Sequence, residues 1–137
     1  MLRVGVQHVF AVIALASTHF SQAQDLGCSS AVSLDGGTIE VEADASGNDT
    51  ENIQCALDAA IDGGYRDVFL TSPEYSIGAI AVTGFIGDLR GRSKANTTVT
   101  IQDSSLSCDE SIGVALEFRV GTASVRNMTL SVDSPCS

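Results

Sequence analysis

The segment ENIQCALDAAIDGG, at positions 51–64, is the one stretch of this chain that has clear helical periodicity. At about 100° per residue its apolar side chains fall on a single narrow arc, and the opposite side is polar. The arc is formed by Ile53, Ala56, Leu57, Ala60 and Ile61. We predict a helix over about residues 50–62, and because it has only one apolar face, it must pack against whatever the other residues form.

Polar residues at both ends of the segment predict its boundaries. Asp49 or Thr50 is suited to the N-cap, and Glu51 to the positive start of the helix. Gly63 and Gly64 predict the stop at the other end.

The chain after the helix contains only short runs of alternating apolar and polar residues, separated by glycines, which is typical of strands. A further run of this kind precedes the helix. The predicted strands are 38–42, 68–70, 77–82, the residues around Leu89, 97–102, 114–120 and 127–132. The last two place Leu116, Phe118 and Val120 on one face, and Met128, Leu130 and Val132 on another.

We expect no hairpin turn, because the Asp-Gly dipeptides at 35–36 and 62–63 lie outside paired runs. Strands joined by corners can coil instead of folding back. The similarity of TVTIQDSSLSC, ending at Cys108, to NMTLSVDSPC, ending at Cys136, predicts a repeat of 28 residues (136 − 108).

Residues 1–23 are predicted to be a signal peptide, with Arg3 before a short apolar run and cleavage after Ala23. A buried N-terminal strand or helix is the alternative. Cleavage would remove His8 and His19, the two histidines of the chain, and so exclude histidine-based catalysis or metal binding in residues 24–137. The remaining six Lys and Arg against seventeen Asp and Glu give a net charge of −11 (6 − 17). That charge disfavours nucleic acid and anionic membranes as partners.

Four cysteines remain after cleavage, and an even number in an exported chain predicts two disulfides. Cys55 lies on the polar side of the predicted helix, where it can tether another segment, and Cys28 is the nearest cysteine in sequence. We therefore favour Cys28–Cys55, which leaves Cys108 and Cys136 as the second pair. Asn48, Asn96 and Asn127 begin glycosylation sequons, which matter only in a host that glycosylates.

The order of elements resembles the N-terminal part of the right-handed parallel β-helix proteins of the pectin-lyase-like superfamily. The resemblance covers about residues 38–132. The matching motifs are an Ile-Gln-x-Ala-Leu-x-x-Ala helix from Ile53, an apolar strand at 68–70, a Pro-x-Tyr corner from Pro73, a strand ending in Leu-Arg-Gly from Leu89, and Val-x-Asn-x-Thr-Leu from Val125.

The resemblance implies an all-β fold, a right-handed parallel β-helix (solenoid) of about two to three coils with one N-terminal capping helix. It also implies a carbohydrate-related function, since members of the superfamily include lyases and hydrolases that act on acidic polysaccharides. Their catalytic residues lie on the middle coils, and none can be transferred to a position here.

The local candidates for chemistry are few. Asp88 and Arg90 are expected to share the outward face of one strand, and Glu117 and Arg119 that of another. Such pairs are more often surface ion pairs than catalytic groups. The acidic residues Asp103, Asp109 and Glu110 share one loop, but they lack the ligand spacing of a calcium loop, so no metal and no cofactor is predicted.

Arg90, Arg92 and Lys94 form the one basic cluster and are the candidate glycan contact. We therefore expect a secreted or cell-surface β-helix protein that is non-catalytic as this chain stands and contacts polysaccharide. The alternative is the N-terminal portion of a polysaccharide lyase or glycoside hydrolase whose active site lies beyond residue 137. Self-association, or further coils at the open C-terminal end, is a third expectation.

Overall fold

The structure is a computed structural model, and it describes residues 25–102 and 116–133. These residues contain ten strands and one helix. The strands are β1 (Val32–Asp35), β2 (Thr38–Val41), β3 (Asp67–Leu70), β4 (Glu74–Ile77), β5 (Ile80–Thr83), β6 (Ile86–Arg90), β7 (Thr98–Gln102), β8 (Leu116–Arg119), β9 (Thr122–Arg126) and β10 (Thr129–Asp133). The helix α1 is Asp49–Gly63. The predicted signal peptide, Cys108, Cys136 and the acidic loop of Asp103, Asp109 and Glu110 lie outside the described residues.

The strands of the described residues form three sheets, which we name A, B and C. Sheet A has the order β1-β2-β3-β6-β9, sheet B the order β4-β7-β10, and sheet C pairs β5 with β8. Every pairing except β1–β2 is parallel. From β3 onward the chain passes from sheet A to B to C, and it repeats this order through β6–β8 and again through β9 and β10. The prediction of a strand-rich fold with one helix and short parallel strands is thus confirmed.

Apolar side chains form in-register rows across sheets A and B, because alternate strand residues point to the same side. One row in sheet A and two rows in sheet B follow directly from the strand pairing. They are Ile39–Val68–Leu89–Val125, Tyr75–Val99–Leu130 and Ile77–Ile101–Val132. The members in the first two circuits are buried, whereas Val125, Leu130 and Val132 of the third circuit are 38%, 49% and 56% exposed. The core therefore lies between α1 and the second circuit, and its far end is uncovered among the described residues.

Helix α1 covers the first circuit by packing on β2, β3, β4 and β5. Its buried side is the predicted arc, except that Ile61 is only half-buried. Because β4 and β5 are edge strands, their outward N–H groups need acceptors. Side chains of α1 supply acceptors to one N–H group of each strand and to that of Gly78 between them.

The three acceptors come from the polar flank of α1. The Asp49 carboxylate accepts a hydrogen bond from the Ser76 N–H at 2.8 Å and one from the Asp44 N–H at 2.7 Å. The Thr50 hydroxyl accepts from Gly78 at 2.8 Å, and the Gln54 amide oxygen accepts from Ala81 at 3.2 Å. The helix therefore caps the first circuit with apolar cover and with hydrogen-bond acceptors together.

The C-terminal end of α1 agrees with the boundary predicted from the sequence, and the N-terminal end differs from it. The N-cap is Asn48, whose side chain makes no capping hydrogen bond, so the assignment to Asp49 or Thr50 was wrong. Their side-chain oxygens bind the sheet edge instead of the helix start. The predicted glycine stop is confirmed, because Gly64 adopts the left-handed conformation (φ 71°) that ends many helices.

A disulfide joins Cys28 to Cys55 on the outer side of α1, as predicted. It ties the segment before β1 to the helix.

Strands β1 and β2 form an antiparallel hairpin, so the expectation of no hairpin was wrong. The turn between Asp35 and Thr38 consists of Gly36 (φ 55°) and Gly37 (φ 90°), which accept the positive φ angles that tight hairpin turns require. The prediction failed because β1 was not recognised as a strand. The Asp-Gly dipeptide was therefore taken to lie before the first strand and not between two paired strands.

Other boundaries also differ from the prediction. The run 77–82 is divided between β4 and β5, which belong to different sheets, and β9 was not anticipated. Val120 does not share a face with Leu116 and Phe118, because β8 ends at Arg119 and Val120 turns outward with φ 50° and 81% exposure. The two similar segments do pair, but Thr129 lies beside Thr98, an offset of 31 residues (129 − 98) and not 28.

Candidate functional site

The candidate site lies in the segment 91–97, which connects β6 in sheet A to β7 in sheet B. We name this segment the basic loop. Its conformation is held by a buried Thr97, whose hydroxyl accepts a hydrogen bond from the Arg92 N–H at 2.9 Å. The Ser93 carbonyl accepts from the N–H groups of Asn96 and Thr97. Arg92 and Lys94 therefore project from an ordered turn, and both are exposed.

Arg90 is separate from the other two cations of the predicted cluster. It is half-buried on the outward face of β6, where its Nε and Nη2 donate to the two carboxylate oxygens of Asp67 at 2.7 and 2.8 Å. Its guanidinium also lies 4.1 Å from the centre of the Phe69 ring. The structure thus keeps Arg92 and Lys94 on one ordered loop, whereas Arg90 makes its contacts within sheet A.

The Arg90–Asp67 contact changes the acid–base behaviour of both groups. Hydrogen bonds from Arg90 lower the pKa of the Asp67 carboxyl below its usual value, and a hydrogen bond from Thr38 acts in the same direction. The carboxylate in turn raises the pKa of Arg90. A carboxylate and a guanidinium shifted in these directions stay charged at neutral pH, so they are poorly suited to proton transfer there.

The two predicted acid–base pairs are arranged differently. Asp88 does not pair with Arg90, although they share a strand face; it binds Nη2 of Arg126 on the neighbouring β9 at 2.6 Å. Glu117 and Arg119 do pair with each other, at 2.7 Å on the exposed face of β8. This contact lowers the pKa of Glu117 and raises that of Arg119.

A groove of about 500 Å³ opens beside the basic loop. It lies between the loop and the start of β4, and its lining combines a cation, a carboxylate and neutral polar groups. The lining residues are Pro73, Glu74, Arg92, Ala95, Asn96 and Thr98. Among the six cations that the structure describes, Arg90, Arg119 and Arg126 form ion pairs, whereas Arg92, Lys94 and Arg66 form none. The basic loop is therefore the one place in the described chain where two unpaired cations lie close in sequence.

The other candidate features give weaker support for a functional site. The sequon residues Asn48, Asn96 and Asn127 are all exposed, and Asn96 lies at the groove. The residues that the structure describes include no group of three or more His, Cys, Asp or Glu that could hold a metal ion. No helix in residues 25–102 or 116–133 is long and apolar enough to span a membrane.

Comparison of the chain with protein-family models, with curated proteins and with solved structures finds no match. The functional argument therefore depends on the residues and contacts described above.

Proposed function

We propose that this chain is a secreted or cell-surface right-handed parallel β-helix protein, of the pectin-lyase-like kind, that contacts acidic polysaccharide through Arg92 and Lys94. The β-helix is supported by the repeated order of sheets A, B and C and by the parallel in-register pairing of successive circuits. Export is supported by the predicted signal peptide and by the Cys28–Cys55 disulfide, a bond typical of oxidising compartments.

One observation is the main support for the polysaccharide contact. In a chain of net charge −10, Arg92 and Lys94 are exposed and lack ion pairs with described residues. Arg92 lines a polar groove, and Lys94 lies two residues further along the same loop. An anionic sugar would supply the missing partner, and the ordered loop reduces the entropy that binding must overcome.

The test is retention of the protein on a polygalacturonate column at low salt. We expect the unaltered protein to be retained and Arg92→Ser/Lys94→Ser to elute in the void. The matched control is Arg66→Ser/Arg119→Ser, which changes the net charge equally at exposed cations outside the basic loop. The proposal fails if the unaltered protein is not retained, or if the two double variants lose retention equally.

A second candidate is favoured by the exposed apolar rows of the third circuit. Among the described residues, β9 and β10 are the last strands of their sheets, and they carry three partly exposed apolar side chains. This arrangement fits a stack that continues, as in the N-terminal portion of a polysaccharide lyase or glycoside hydrolase. A second copy could cover the same end. Reading the coding sequence past residue 137 tests the first arrangement, which predicts more glycine-punctuated strands and an Asp or Arg cluster. Light scattering tests the second, and a monomer at high concentration would exclude it.

A further inference from the structure

The outward face of sheet B carries hydroxyl side chains in two in-register rows. Ser76, Thr100 and Ser131 form one row, and Thr98 and Thr129 form the other, which begins at Glu74. Neighbouring strands lie about 4.8 Å apart, and alternate residues along a strand lie about 6.6 Å apart. The face is therefore a regular array of hydroxyl groups on rigid backbone.

Most of these hydroxyls are free to bind a ligand. Within residues 25–102 and 116–133, the side-chain oxygens of Ser76, Thr98, Thr100 and Ser131 make no hydrogen bond to the protein. The exception is Thr129, whose hydroxyl donates to the Lys94 carbonyl at 2.9 Å. Each free hydroxyl offers one donor and two acceptor positions, which is the complement that sugar hydroxyls require.

The part of the array on β4 and β7 is the floor of a second groove, of about 570 Å³. One wall is the segment that leads into α1, and the floor is formed by the outward residues of β4 and β7. The lining residues are Ala43, Asp44, Ala45, Asp49, Glu74, Tyr75, Ser76, Thr98, Thr100 and Gln102. Glu74 and Thr98 also line the groove at the basic loop, so the two grooves adjoin and form one path along the strands.

The charge along this path changes sign. Arg92 and Lys94 lie at one end, Glu74 lies in the middle, and Asp44 lies at the far wall. A hydrogen bond from the Ser46 N–H lowers the pKa of the Asp44 carboxyl, so this wall is negative at neutral pH. A glycan with a carboxylate on every sugar would be attracted at one end and repelled along the rest of the path, whereas neutral sugars meet no such repulsion.

We propose that the path from the basic loop along β4 and β7 binds a mainly neutral glycan that carries a sparse carboxylate. The carboxylate sits against Arg92 and Lys94, and the neutral sugar hydroxyls bind Ser76, Thr98 and Thr100. This inference rests on the proposed polysaccharide contact and specifies its ligand class.

The test compares three oligosaccharides of equal length by isothermal titration calorimetry. They are a glucuronoxylan oligosaccharide with one glucuronate, the corresponding neutral xylo-oligosaccharide, and an oligogalacturonate. We expect the first to bind about tenfold more tightly than either of the others, a difference of about 1.4 kcal/mol. The neutral oligosaccharide lacks the charge contact with the basic loop, and the oligogalacturonate is repelled by Glu74 and Asp44. Equal or tighter binding of oligogalacturonate overturns the inference and leaves the acidic-polysaccharide contact standing.

Variants separate the hydroxyl array from the basic loop. Thr98→Val/Thr100→Val removes two hydroxyls with little change of shape and should weaken glucuronoxylan binding about tenfold. Thr83→Val/Thr122→Val removes two outward hydroxyls on sheets C and A and should leave the binding unchanged. If both double variants bind as the unaltered protein does, the array is not the binding surface. If Arg92→Ser/Lys94→Ser also binds unchanged, the polysaccharide contact itself fails.

Discussion

At the scale of single residues, Gly91 shows how closely the corners of adjacent circuits approach. It ends the Leu-Arg-Gly corner and is buried. A Cβ atom at this position would lie 2.6 Å from the Asn127 carbonyl oxygen and 2.6 Å from Cβ of Thr97. The glycine is therefore required for packing and not for an unusual backbone angle, and it keeps the basic loop against the third circuit.

Gly91→Ala should lower the free energy of unfolding by about 1–3 kcal/mol, the usual effect of overpacking a filled site. Urea denaturation measures it. Gly78→Ala is the control, because its Cβ would meet only the Thr50 hydroxyl, at 3.9 Å, and little change is expected. Equal effects of the two substitutions would contradict the close approach at Gly91.

The Asp67–Arg90 contact should make stability depend on pH in a defined direction. Since the folded-state pKa of Asp67 is lowered, its stabilisation is present above the unfolded pKa near 3.8 and is lost as the pH falls through the lower folded value. Asp67→Asn should therefore lower the free energy of unfolding by about 1 kcal/mol at pH 7, and the difference between the two proteins should shrink below pH 4.

Thermal unfolding of both proteins between pH 7 and pH 2 measures that difference. Glu42→Gln, at an exposed carboxylate without an ion pair, is the control and should show no such convergence. A difference between Asp67→Asn and the unaltered protein that stays constant down to pH 2 would show that the ion pair is not the cause.

At the scale of elements, α1 was the part of the fold that the sequence predicted best. Its apolar periodicity, its glycine stop and the outward Cys55 are local properties, so they could be read without the rest of the structure. The acceptor roles of Asp49, Thr50 and Gln54 could not, because they depend on the N–H groups of β4 and β5, about 27 residues away.

The strands show the same division between local and distant information. Alternation identified most of them. It was overlooked in β1, which alternates as β2 does, and it is weak in β9, where Ala123 and Val125 are the apolar residues. The offset between β7 and β10 depends on which residues pair, and not on the spacing of Cys108 and Cys136 in the sequence. For the site, sequence proximity grouped Arg90 with Arg92 and Lys94, whereas the partner of Arg90 lies 23 residues earlier on β3.

Asp49→Ala should lower the free energy of unfolding by about 1–3 kcal/mol, because it leaves the partly buried N–H groups of Ser76 and Asp44 without their acceptor. Chemical denaturation gives the value, and hydrogen exchange at Ser76 should become faster. Asp62→Ala, at an exposed position near the end of the same helix, is the control for loss of a carboxylate. If Asp49→Ala is no more destabilising than Asp62→Ala, α1 does not cap the edge of β4 as described.

At the scale of the whole molecule, the two ends of the described sheets differ. One end has the hairpin β1–β2 on sheet A and α1 over sheets B and C, and the other presents Val125, Leu130 and Val132 to solvent. Side-chain burial, and with it the energetic value of an apolar residue, therefore falls from the first circuit to the third.

Truncations along the two apolar rows of sheet B measure this gradient. Ile101→Ala and Val99→Ala, in the second circuit, should each cost about 2–3 kcal/mol. Leu130→Ala and Val132→Ala, in the third circuit, should each cost less than about 1 kcal/mol, since these side chains are half-exposed already. If the Leu130 and Val132 variants instead lose much stability, and the loss depends on protein concentration, a second copy of the chain covers this end.

The contact of the basic loop and sheet B with a glycan is the central claim, and chemical-shift mapping by NMR tests it most directly. Titration of the isotope-labelled protein with a glucuronoxylan oligosaccharide should shift the amide signals of the basic loop, β7 and the outward residues of β4. Signals of the outer side of α1 and of sheet C should stay in place. Shifts confined to those other surfaces, or no shifts at any concentration, would contradict the account.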